Sequence, residues 1–224
     1  VEENNNPTLQ RANSLKRIEL SYNEHFNAIK DADDDDFIML SDNDEIPNLD
    51  SEDFKKYKND IVIFNQLFFY FKFNLLYDRM LWAGTKGCRK KNLKSFSWLR
   101  NIKFKKYPIW RIDTYFSNTK YSNLNIINDG GWHFTNLKSP ENMFEKFMNF
   151  GHHDEFKLSG ITVDKIRDKI SKREMFYDHF ADKSATNKWE SDYKLQKIDL
   201  DLLPKYLIDN KNKYKDWFDL KELK

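Results

Sequence analysis

Phe37-Ile38-Met39-Leu40-Ser41-Asp42-Asn43-Asp44-Glu45-Ile46-Pro47 is an apolar run that stops abruptly in three carboxylates. Four aliphatic and aromatic residues followed by a Ser/Asp/Asn cluster and a proline have the length and punctuation of a buried strand entering a loop. In open α/β sheets ligands bind just outside the carboxyl ends of strands, so the reading places chemistry at Asp42, Asp44 and Glu45. Asp42 and Asp44 are two residues apart, and in an extended or turn backbone both can reach one hard cation or the phosphates bound to it. The same residues also suit a turn in which Asp and Asn side chains bond their own backbone or cap a following helix. A calcium loop of the EF-hand kind does not fit, because the glycine and terminal glutamate it requires are missing.

Working outward, Leu15, Ile18, Tyr22, Phe26 and Ile29 recur at helical spacing and predict a helix over about residues 9–30 that covers the sheet. Ser51-Glu52-Asp53 predicts a capped short helix. Residues 61–73 are β-branched and aromatic throughout, which predicts one long strand, or two joined at Asn65-Gln66, with that polar pair marking a bulge or an edge. Gly84 and Gly87 read as flanking a turn, and Trp82, Trp98, Tyr107 and Trp110, spread among lysines, suit a carbohydrate groove or ordinary core packing. Ile126-Ile127 leads into Asn128-Asp129-Gly130-Gly131-Trp132-His133, where adjacent glycines let the backbone turn tightly and approach a ligand closely. Ser139-Pro140-Glu141 predicts a helix start closed by Gly151, and Thr162 to about Arg173 a second amphipathic helix. Residues 182–192 read as a polar loop and residues 1–8 as a frayed terminus.

Composition narrows the function classes. At 224 residues the chain is long enough for one domain with a substantial core, and 16% aromatic residues argue against a disordered chain. The net charge of +2 gives no global pull onto nucleic acid. Charge is nevertheless segregated: Asp31 and Asp33 to Asp36 form an acidic block, and Arg89, Lys90, Lys91, Lys94, Lys103, Lys105 and Lys106 a basic one, suited to a solvated face, a diphosphate or an acidic glycan. Cys88 is the single cysteine, which excludes an internal disulfide and a cysteine-based zinc site. That, with the lack of an Asn-x-Ser/Thr acceptor, points away from a secretory lumen. No apolar run is long enough to span a bilayer.

The segment Asp42-Asn43-Asp44-Glu45-Ile46-Pro47 together with Gly130-Gly131-Trp132-His133-Phe134 resembles glycosyltransferase family 17, the family of the enzyme that adds bisecting GlcNAc. Gln10-Arg11-Ala12-Asn13, Trp82-Ala83-Gly84-Thr85 and Leu203-Pro204-Lys205-Tyr206-Leu207 agree with it in order along the chain. The resemblance implies an α/β fold of GT-A type, Rossmann-like, with a mixed central sheet flanked by helices in a single catalytic domain. In that fold earlier strands precede the acidic motif, so the chain is expected to lack an amino-terminal portion. It further implies inverting transfer of a sugar, GlcNAc from UDP-GlcNAc, to a glycan or glycoprotein acceptor hydroxyl. A divalent metal, Mn2+ or Mg2+, would sit on Asp42, Asp44 and His152, the last holding the histidine place of a Phe-x-His. Donor contacts would come from Asp42, Gly130, Gly131, Trp132 and His133, and the base from Glu141 or Asp129, with Glu141 preferred. Left open beside it is a carbohydrate-binding or structural domain of the same fold without turnover.

Overall fold

The computed structural model describes residues 7–50, 52–58, 60–149, 153–180 and 189–220. The expectations for residues 1–6, Ser51, Phe150, Gly151, His152 and most of the 182–192 loop lie outside them. The fold is mixed α/β, with a mixed sheet and flanking helices. Its strands are β1 Phe37–Leu40, β2 Glu45–Pro47, β3 Ile61–Tyr70, β4 Leu75–Leu76, β5 Trp82–Arg89, β6 Leu124–Ile127, β7 Gly131–Thr135 and β8 Gln196–Lys197. Its α-helices are α1 Pro7–Glu24, α2 Phe96–Asn101, α3 Ile112–Tyr115, α4 Pro140–Asn149, α5 His153–Leu158, α6 Val163–Ser171 and α7 Lys205–Asp209. The chain divides into two compact units, one of Ala12–Gln66 and Trp82–Gly131, the other of Val1–Arg11, Leu67–Leu81 and Trp132–Lys224.

In the first unit the opening half of β3 is paired on both edges. β5 runs antiparallel to it, Val62 opposite Gly87, and β6 runs parallel, Ile61 opposite Leu124. The register against β5 shifts between Ile63 and Asn65, so the polar pair does mark a bulge. Side chains then alternate between two apolar layers. Ile61 and Ile63 join Ile38, Leu40, Cys88, Phe96, Leu99 and Leu124, while Val62 and Phe64 join Tyr57, with Phe37, Met39 and Phe54 packed against them. Burial on both faces is why β3 reads as a continuous apolar run without alternation.

β1 pairs antiparallel with β5 and ends the strand order. Two sequence expectations change here. Gly84 and Gly87 lie inside β5, where a Cβ would meet Gln66 Oε1 at 1.9 Å and the Phe37 ring at 2.5 Å. They make room for neighbouring side chains instead of turning the chain. The stripe on the first helix is covered only toward its end: Tyr22 and Ile29 pack on the core, whereas Leu15 and Ile18 are 59% and 50% exposed. Helical spacing fixes which residues share a face, not whether the protein covers that face.

In the second unit the closing half of β3 pairs antiparallel with β4 and parallel with β7, Phe68 opposite His133, and β4 pairs with β8. Phe69, Phe134, Leu203, Leu207 and Phe218 form one core cluster. Phe68 leads into an aromatic network, its ring 5.5 Å from Tyr77, 4.8 Å from His133 and 5.0 Å from His179. As expected, α4 starts with Ser139 Oγ accepting from the Asn142 amide. The start of α6 has a cap of the same kind, Thr162 Oγ1 accepting from the Lys165 amide.

Burial, then the neighbouring His133, holds the His179 pKa down at about 4. Its folded-state pKa lies below the unfolded value, so this contribution to stability is complete above pH about 6.5 and is lost as the pH falls toward 4. Denaturant titrations from neutral to acidic pH should show wild type losing on the order of 3 kcal/mol more than His179→Phe. Parallel curves for the two proteins would refute the assignment.

Candidate functional site

The acidic loop leaves β1 and closes on itself, the Glu45 amide donating to the Asp42 carbonyl at 3.0 Å and the Asp42 amide to Glu45 Oε2 at 3.1 Å. The three carboxylates part company at this point. Glu45 is buried, its residue 5% exposed, and its Oε1 accepts from Trp82 Nε1 at 2.8 Å. Asp42 keeps a side chain 35% exposed and accepts from Arg100 at 2.6 Å and from the Tyr22 hydroxyl at 3.2 Å. Arg100 lies on α2 and also approaches Glu45 at 3.8 Å. Asp44 is half-buried two residues further on. Burying a carboxylate is costly unless it is paired and hydrogen-bonded, and Glu45 meets both conditions.

Arg100 is held from behind by Lys86. That ammonium is buried on β5 and donates to the carbonyls of Arg100 and Ile102, at 2.6 and 2.7 Å, at the end of α2. Burial, then the charge of Arg100, lowers its pKa to about 8. Beside it Ser41 and Thr85 share a hydroxyl contact of 2.7 Å, and Gln66 donates to Thr85 at 3.3 Å.

The glycine pair reaches the same loop. The Gly130 amide donates to the Asn65 carbonyl and the Asn48 amide to the Gly130 carbonyl, both at 3.1 Å. Gly131 has φ of +109°, and a Cβ there would sit 2.2 Å from the Ile46 carbonyl oxygen and 2.6 Å from the Asn48 nitrogen. A side chain is excluded twice over, by conformation and by space. Asp129 stands exposed on this turn and accepts from Asn48 Nδ2 at 3.3 Å. Asp42, Asp44, Asp129, Gly130 and Gly131 therefore belong to one unit, with the acidic and glycine segments in direct contact.

The other expected site residues lie in the second unit. His133 is buried, 5% exposed, beside Phe68, and Trp132 donates its indole N–H to the Leu202 carbonyl at 2.6 Å. Glu141, in the first turn of α4, pairs with Arg167 of α6 at 2.6 Å. Its own amide, then Arg167, holds its carboxyl below the usual range, which makes it a weaker base. His152 is outside the described residues.

Nothing in residue order singles out Arg100 or Lys86. Arg100 is one cation in a lysine-rich stretch, and only the fold places it on Asp42. The basic block as a whole splits in two. Arg89 donates to the carbonyls of Asp35, Phe54 and Tyr57, and Lys91 pairs with Asp35 at 2.6 Å, so the early part is structural.

No family model, no curated protein and no solved structure matches the chain. Among the described residues no three histidine, cysteine, aspartate or glutamate side chains gather as a metal site, and no helix is long and apolar enough to cross a membrane.

Gly131→Ala tests the contact between the segments. Strain at a positive φ costs on the order of 1–3 kcal/mol, and the backbone clash adds to it. A clear drop in the denaturant midpoint is expected, with a smaller one for Gly160→Ala, where φ is +63° but nothing stands within 4 Å of a Cβ. Equal losses would show that the close approach does not matter.

Proposed function

We propose that the chain is a metal-dependent, inverting glycosyltransferase of the GT-A type, akin to glycosyltransferase family 17, moving GlcNAc from UDP-GlcNAc to a glycan hydroxyl. The observation that carries this reading is convergence. Two stretches quoted for the family resemblance and far apart in sequence, Trp82–Thr85 and the Gly130-Gly131 pair, both reach the acidic loop, through Trp82 to Glu45 and the close approach of Gly131 to Ile46, and Thr85 shares a hydroxyl contact with Ser41 just before that loop.

The donor set suits a hard cation of the phosphate-binding kind. Such ions take one or two carboxylates and complete their shell with water and phosphate oxygens, so a third protein ligand is not required. Asp42, a third exposed and with lone pairs beyond those taken by Arg100 and Tyr22, and Asp44 would hold it, as manganese or magnesium. When bound, the metal would neutralise charge on a leaving diphosphate. Arg100 fixes the rotamer of Asp42, and Glu45 and Trp82 fix the loop, so the site is organised before the ligand arrives. The bare backbone at Gly130 and Gly131 allows close approach of the donor. Inversion in one step calls for a base on the acceptor side. Asp129, exposed on the glycine turn, takes that role ahead of Glu141, whose carboxylate is committed to Arg167.

One observation favours a binding domain without turnover. Asp42 and Glu45 already share a cation within the chain, Arg100. Calorimetry separates the two readings. UDP-GlcNAc should bind in manganese and not in chelator, Asp44→Ala should weaken binding by about tenfold to a hundredfold, and Asp129→Asn should bind normally while releasing no UDP in the presence of acceptor. Binding indifferent to both chelator and Asp44→Ala would defeat the enzyme reading.

A further inference from the structure

Residues 103–120 form a loop closed at its base, the Lys103 amide donating to the Thr119 carbonyl at 2.8 Å and the Trp98 indole N–H to the Asn118 carbonyl at 2.7 Å. It is stiffened inside by Arg111 and Lys120 on Asp113, at 2.6 and 2.9 Å, and by the Tyr115 hydroxyl donating to the Ile109 carbonyl at 3.1 Å. On this braced frame the apolar side chains point away from the protein. Ile109, Trp110, Ile112, Tyr115 and Phe116 are 72%, 78%, 72%, 74% and 85% exposed. Five exposed apolar side chains within the eight residues from Ile109 to Phe116 mark an interaction surface.

Two features say what covers it. The first is charge. The loop carries Lys103, Lys105, Lys106, Arg111 and Lys120 against Asp113 alone, and Lys103, Lys105 and Lys106 are exposed, with no carboxylate paired to them among the described residues. The second is relief. Side chains more than 70% exposed have no walls rising around them, whereas a glycan cleft or a peptide groove would shield its lining from the sides. Tryptophan, tyrosine and phenylalanine next to unpaired lysines are the composition that settles at a lipid headgroup layer, where the rings enter the acyl boundary and the ammonium groups meet anionic phosphates.

We infer that the 103–120 loop docks the protein on an anionic lipid bilayer, Trp110 and Phe116 entering the interface and Lys105 and Lys106 reading its charge. This goes beyond the catalytic reading and does not depend on it. A basic tip on a peripheral protein would hold the acidic loop of the same unit near acceptors carried by that membrane.

The test is co-sedimentation of the whole chain with vesicles of phosphatidylcholine alone and of phosphatidylcholine with phosphatidylserine in equal parts. Binding is expected to the mixed vesicles, to fall with added salt, and to drop on the order of tenfold both for Trp110→Ala with Phe116→Ala and for Lys105→Glu with Lys106→Glu. The replaced residues are exposed, so melting curves should match wild type; should the aromatic variant melt early, the charge variant carries the test. A chain that stays in the supernatant overturns the inference, as does equal binding to neutral vesicles or sedimentation indifferent to the charge variant. Protection of Trp110 from oxidation by a soluble oligosaccharide but not by vesicles would assign the loop to a glycan and overturn it too.

Discussion

A strand buried on both faces must have both of its edges hydrogen-bonded, and β3 is such a strand, with nine of its ten residues buried. That requirement places its neighbours. In the first unit β5 supplies one edge and β6 the other, and the parallel pairing of Ile61–Phe64 with Leu124–Ile127 carries the chain straight into the glycine turn. Gly130 then bonds Asn65 at the bulge, and Gly131 comes against Ile46 and Asn48. The contact between glycine turn and acidic loop is thus a consequence of how β3 satisfies its backbone.

The electrostatics of the loop follow from unequal burial of its carboxylates. Glu45 is enclosed and pinned by Trp82, and acts as a structural anion. Asp42 stays partly in solvent, oriented by Arg100, with Lys86 securing the end of the helix that carries the arginine. Arg100 set against a half-buried and a buried carboxylate, with the Lys86 ammonium bonded to the carbonyls behind it, gives a rigid polar site. Rigidity of this kind suits a site that must present a carboxylate in one orientation.

Much of this was legible from residue order. The apolar run of β3, its bulge at Asn65-Gln66 and the cap at Ser139 all have local signals in composition. What was not legible depends on partners distant in sequence. Gly84 and Gly87 look like turn residues until Gln66 and Phe37 are seen to need their space. Leu15 and Ile18 look like a core stripe, yet periodicity carries no information about what lies opposite. Arg100 is indistinguishable from its basic neighbours in sequence; its selection for Asp42 comes from the placement of α2. Trp132 and His133 follow the glycine pair directly in sequence, yet the second unit uses one as a hydrogen-bonded packing residue and the other as a buried aromatic neighbour.

The central claim is that the acidic loop and the glycine turn together make a nucleotide-sugar site. A crystal structure of the chain grown with UDP and manganese tests it most directly. The expected result is diphosphate and metal density at Asp42 and Asp44, facing the Gly130-Gly131 backbone, with Arg100 still on Asp42. UDP bound elsewhere while this loop keeps only water would contradict it.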